Sequence, residues 1–159
     1  MNAAFQQYVE ALHPSYERLI SMAPVSIERL PTPISKLPAS CIYLFSEGEK
    51  HLYAGRTRHF RQRLRQHSIP ASQHNQAVFA FRIAREVTGR LQATYNAADG
   101  SRLALQADPI FGAAFTEAKE RIRRMDLRFV EESDPTRQAL LEIYVSVVLK
   151  TPYNDFNTH

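Results

Sequence analysis

Two short runs of strand-forming residues, separated by a polar turn, limit the folds open to this chain more than any other feature. Residues 40–46, SCIYLFS, and 51–56, HLYAGR, are rich in aliphatic and aromatic side chains and flank EGEK at 47–50. Such a pair predicts an antiparallel β-hairpin. Its two tyrosines, Tyr43 and Tyr53, stand ten residues apart, a spacing that can bring both to one region of paired strands. A third strand is expected at 126–132, DLRFVEE, where polar and apolar side chains alternate.

The remaining periodicity is helical. Phe5, Tyr8, Val9, Leu12, Tyr16, Leu19 and Ile20 recur at spacings of three and four, predicting one helix, or two short ones, over 2–23, with Pro14 breaking or kinking it. Pro24, Pro31, Pro33 and Pro38 make residues 24–39 an extended connection. A short helix over 58–67 would turn Phe60 and Leu64 inward and set Arg63 and His67, four apart, on an adjacent face. Residues 73–88 read as a helix ending near Gly89, residues 90–108 as a loop around NAADGS, and 109–124 as a helix burying Phe111, Phe115, Ala118 and Ile122. The last helix, capped by Ser133 or Asp134 with Pro135 in its first turn, runs to about Lys150. The expected fold is α+β: a three-stranded, mainly antiparallel sheet flanked by helices in one domain. It comprises an N-terminal helical extension and proline-rich connection (1–39), the hairpin and arginine helix (40–67), a helical insertion (68–125), and the third strand with the final helix (126–159).

A chain of 159 residues with 44% hydrophobic and 23% charged side chains is expected to form a soluble globular core. It has no run of about 18 apolar residues to span a membrane, and Glu10, Glu17 and Arg18 stand where a signal peptide needs an apolar stretch. A cytoplasmic location without membrane contact is the expectation. A single cysteine, Cys41, makes no internal disulfide, and no Cys/His cluster has zinc spacing. The net charge is +4, yet residues 56–67 alone hold five arginines, Arg56, Arg58, Arg61, Arg63 and Arg65, and no acid. One segment therefore makes the protein basic. Its guanidinium groups suit phosphate oxygens, although a solvated basic face would have the same composition. Lys119, Arg121, Arg123, Arg124 and Arg128 form a second basic stretch open to the same two readings.

Glu142 interrupts the apolar segment LLEIYVSVV. A carboxylate there needs a partner, whether an arginine, a metal ion or, on a polar helix face, water. Taken alone, Tyr43 and Tyr53 read as packing residues rather than catalytic ones, and His67 as a helix-terminal histidine.

Their order carries more information. Ile42-Tyr43, then Tyr53-Ala54-Gly55, Arg63, His67, Glu142 and finally Asn154 within PYNDFN resemble the GIY-YIG nuclease family. The resemblance covers residues 40–67 and 126–156. Tyr43 and Tyr53 match the tyrosines of the two namesake motifs, Gly55 the close-packed glycine, Arg63 the arginine of the following helix, and His67 a position held by tyrosine or histidine. Glu142 matches the metal ligand and Asn154 the late asparagine. Cys41 replaces the glycine of the first motif and Ala54 the isoleucine of the second, both backbone or packing positions.

The resemblance implies a DNA endonuclease, with RNA as a further candidate substrate, holding one Mg²⁺ or Mn²⁺ on Glu142. Tyr43, or with roles exchanged Tyr53, would be the general base, which requires a phenol pKa well below about 10. Arg63 would stabilise the pentavalent phosphate, and His67 would orient a tyrosine or accept the water proton. Arg56, Arg58, Arg61 and Arg65 would contact phosphates, while Gly55 and Asn154 would support the site from behind. The extension and the insertion are where DNA specificity or a homodimer contact would reside. Two other classes fit the same residues: a nucleic-acid-binding module that does not cut, and a basic domain that docks an acidic protein.

Overall fold

The computed structural model describes residues 2–30, 36–90 and 101–156. In chain order the elements are α1 (Ala3–Ser21), β1 (Cys41–Glu47), β2 (Lys50–Thr57), α2 (Phe60–Ser68), α3 (Val78–Thr88), α4 (Arg102–Ala107), α5 (Pro109–Arg124), β3 (Asp126–Glu131) and α6 (Pro135–Leu149). They form two compact units. The first comprises Met1–Arg61 and Met125–His159, the second Gln62–Arg124, so the boundary falls inside α2.

The first unit is α+β, with a three-stranded antiparallel sheet in the order β2-β1-β3. Central β1 is buried from Cys41 to Ser46. Ile42, Leu44, Ala54 and Val130 turn to one face, where Leu12 and Leu19 of α1 and Leu141 and Val145 of α6 complete an apolar core. Strand alternation sends Tyr43 and Phe45 the other way. There the Tyr43 ring lies 5.7 Å from Phe45 and 5.8 Å from Phe60, and Phe60 lies 5.0 Å from Phe129. Glu47 pairs with Lys50 across a two-residue loop whose first member, Gly48, has a φ of +58°, a backbone region suited to glycine. The register shifts between Phe45 and Ser46, leaving Leu52 as the extra residue of a bulge.

Both outer edges of the sheet are covered. Val25, just beyond α1, exchanges two backbone hydrogen bonds with Leu127 of β3, and Tyr153, beyond α6, donates its N–H to Leu52 O of β2 at 3.1 Å. Such caps remove the open strand edges through which sheets aggregate.

Several expectations are corrected in detail. Pro14 does not break α1, which is continuous from Ala3 to Ser21. Pro14 and Glu10, the residue whose carbonyl loses its helical partner to the proline, are both exposed, while Leu12, Ser15 and Leu19 anchor the helix. Phe5, Val9 and Ile20, at the margins of the apolar stripe, are exposed. Of the two candidate caps of α6, Asp134 is the one used, accepting the Arg137 N–H at 2.8 Å.

In the second unit, Phe79, Phe81 and Ile83 of α3 and Phe111, Phe115 and Ile122 of α5 are buried, with the Phe81 ring 4.9 Å from Phe111. The ammonium of buried Lys119 donates to the carbonyls of Pro70 and Ser72 and lies 4.0 Å from the centre of the Phe115 ring. α3 starts at Val78, five residues later than expected, because Gln73–Gln76 close a turn of their own, with Gln76 Oε1 accepting the Gln73 N–H. The loop expected over 90–108 contains α4, capped by Ser101 and anchored by buried Leu105, while the NAADG segment at 96–100 lies outside the described residues. Among the described residues no helix is long and apolar enough to cross a membrane.

Candidate functional site

Strand β2 is the meeting point of the candidate residues in the first unit. Four of its consecutive residues, Tyr53 to Arg56, each belong to the site or are held by a member of it. Tyr53 is buried, its ring centre 6.3 Å from that of Tyr43. The register pairs Tyr43 with Gly55 and Phe45 with Tyr53, which puts both tyrosines on the aromatic face of the sheet. Gly55 lies directly beneath the Tyr43 phenol, where a Cβ would overlap Oη and Cζ. The close-packed glycine expected after the second tyrosine is thus explained by the first one.

Ala54, facing the α1/α6 core, is gripped by Asn154. The asparagine Oδ1 accepts the Ala54 N–H at 2.8 Å and its Nδ2 donates to the Ala54 carbonyl at 2.8 Å, imitating a neighbouring strand. Thr151 Oγ1 donates to the same Oδ1 at 2.8 Å and so orients the amide. Asn154 therefore fixes the backbone between Tyr53 and Gly55.

Arg56, the next residue on the core side, reaches α6. Its Nε donates to Glu142 Oε2 at 3.0 Å, with the arginine side chain 47% and the glutamate side chain 21% exposed. Of the partners open to Glu142 from sequence, the structure places an arginine against it. The tyrosines and this ion pair approach β2 from opposite faces, and the strand is what joins them.

Gln138, one turn before Glu142, is a contributor that the sequence reading passed over. It is buried and its Nε2 donates to Thr57 O at 3.1 Å and Glu132 O at 2.6 Å, tying α6 to the ends of β2 and β3. Gln138, Leu141 and Val145 share a helical spacing, and a glutamine inside that apolar stripe was the signal available.

The remaining candidates lie along α2, apart from Arg58 in the bend that precedes it. Arg58, Arg61 and Arg65 are exposed. Arg63, in the second unit, is half-buried, its Nη1 donating to Gln66 Oε1 at 3.2 Å and to Gln76 O at 3.1 Å. His67 is fully buried, edge-on to Phe79 at 6.4 Å. Burial, reinforced by the charge of Arg63, pushes its pKa well below the ordinary 6.5, so the ring is neutral at physiological pH. In the second basic stretch, Lys119 is a core residue and does not belong to a phosphate-facing surface, whereas Arg123 and Arg124 are exposed.

A divalent ion would find one suitable oxygen donor here. Among the described residues no three His, Cys, Asp or Glu side chains cluster, but Glu142 is partly open to water and already faces a cation, the Arg56 guanidinium. A lone, partly exposed carboxylate suits only an ion that keeps most of its waters, as Mg²⁺ does, and the guanidinium beside it opposes that ion. No protein-family model, curated protein or solved structure matches this chain.

Proposed function

We propose that the chain is a metal-dependent DNA endonuclease of the GIY-YIG type. The observation that supports this reading is that β2 joins sequence-distant candidates, Tyr43 over Gly55 beside Tyr53 on one face, and Asn154 on Ala54 and Glu142 on Arg56 on the other. In this reading water attacks phosphorus, Tyr53, which keeps a small exposed area where Tyr43 has none, takes the proton, and the bond from phosphorus to the 3′ oxygen breaks. Tyr43, fully buried, backs Tyr53 from within the sheet, and the resemblance alone assigns to Arg63 the charge that builds on the phosphoryl oxygens. Arg58, Arg61 and Arg65 hold flanking phosphates in bidentate contacts. His67, buried and neutral, suits a packing role within α2 better than proton uptake. A single Mg²⁺ or Mn²⁺ on Glu142 would supply neutralisation of the scissile phosphate and of the leaving oxygen.

The test is incubation of purified protein with supercoiled, linear, single-stranded and branched DNA, and with RNA, in Mg²⁺ and then Mn²⁺. Glu142→Ala and Arg63→Ala should each lower cleavage by roughly 10²-fold or more. If both variants cut like the parent protein, the catalytic assignment is wrong. A second reading, a nucleic-acid-binding module that does not cut, draws on the Arg56 pairing, which already neutralises Glu142. It requires DNA binding that weakens steeply with salt and no cleavage in either metal.

A further inference from the structure

The Arg56–Glu142 contact uses the same carboxylate that the nuclease reading assigns to the metal. Its two ends differ in freedom. Glu142 is on the mostly covered side of the pair and projects from a fixed turn of α6: Gln138, four residues earlier, binds Thr57 O and Glu132 O, and Ser146 Oγ donates to Glu142 O at 2.7 Å. Arg56 is nearly half exposed and follows two β2 residues held by Asn154 and Tyr43, so its backbone is fixed while its long side chain borders water. Removing the guanidinium from Glu142 returns it to solvent, whereas the carboxylate stays in place. A hydrated dication and a guanidinium repel each other and cannot both lie against Oε2.

We propose that Arg56 is a competitive counter-ion for Glu142, so that a divalent cation loads only by displacing the guanidinium, which is thereby released toward phosphate. This rests on the nuclease reading for the identity of the metal ligand. Occupancy by Arg56 lowers the apparent metal affinity by the fraction of molecules in which the pair is formed. For a pair at this exposure the reduction is roughly three- to tenfold.

The test is Mn²⁺ binding to the full chain without nucleic acid, by calorimetry or electron paramagnetic resonance at low salt. Arg56→Gln should bind Mn²⁺ three to ten times more tightly than the parent. Arg58→Gln, which removes an equal charge two residues away, should stay within about twofold, separating direct competition from a general field effect. Glu142→Gln should weaken binding both alone and combined with Arg56→Gln. In the parent, adding Mg²⁺ should shift the Arg56 Nε–H resonance and speed its exchange with water. If Arg56→Gln binds no more tightly than the parent while Glu142→Gln still removes the site, the competition is overturned and the nuclease reading stands. Mn²⁺ binding that ignores Glu142→Gln, or no binding by any of the proteins, overturns the metal assignment and the competition together.

Discussion

Position 55 shows how one residue can be dictated by another twelve places earlier. The Tyr43 phenol occupies the space where a Cβ would stand, so Gly55→Ala must displace a buried ring. The expected cost is about 1–3 kcal/mol, measured by urea unfolding, and a double-mutant cycle with Tyr43→Phe should show strong coupling because the hydroxyl is one of the overlapping atoms. A cycle that is additive within about 0.5 kcal/mol would contradict this account. At this scale the sequence was informative where order and spacing carried the signal, as for Gly55 and Asn154. It could not show that Glu142 meets Arg56, because a carboxylate in an apolar stretch has several kinds of partner and the choice depends on how β2 and α6 pack. His67 was equally opaque: its spacing from Arg63 places both near one helical face, and only tertiary packing decides that the imidazole goes inward.

Among the elements, the most legible were those whose ends carry their own chemistry. Asp134 and Pro135 start α6, the hairpin loop has its glycine, and α5 begins and ends at the expected residues. α1 was harder to read because proline has a strong local effect that a helix can absorb when the proline and the residue that loses its partner are both exposed. α4 was missed because six residues are too few for a clear period. The C-terminus of α6 offers a direct test. Lys150 has a φ of +51°, a left-handed conformation in which a side chain strains and glycine does not. Lys150→Gly should raise stability by about 0.5–1 kcal/mol, seen as a higher urea midpoint with an unchanged slope. A lower midpoint would mean that the lysine side chain contributes more than its backbone strain costs.

At the scale of the whole molecule, the buried imidazole links stability to pH. His67 has a folded pKa below its unfolded value near 6.5, so unfolding takes up a proton in the interval between them. Its contribution is fully present above about pH 6.5 and is lost as pH falls toward the depressed folded value, at up to about 1.4 kcal/mol per pH unit. His51 is shifted the same way, first by burial and then by Arg128, and adds to the slope. Hydrogen exchange of the α3 amides at pH 7.5, 6.5 and 5.5 should show this acid weakening in the parent and a flatter profile in His67→Leu. An unchanged profile would assign the effect to other groups. The division into two units was the least legible property, since its boundary lies within a single helix and no change of composition marks it.

The asparagine that closes the free side of β2 has a consequence for synthesis. A ribosome completes Ala54 a hundred residues before it reaches Asn154. Throughout that interval the nascent hairpin presents an unsatisfied strand to its surroundings, and a chain that stops short of Asn154 keeps that strand open permanently. Truncation a few residues earlier should therefore yield a product that self-associates through β2, and the late arrival of one amide makes the closing of the sheet among the last events of folding.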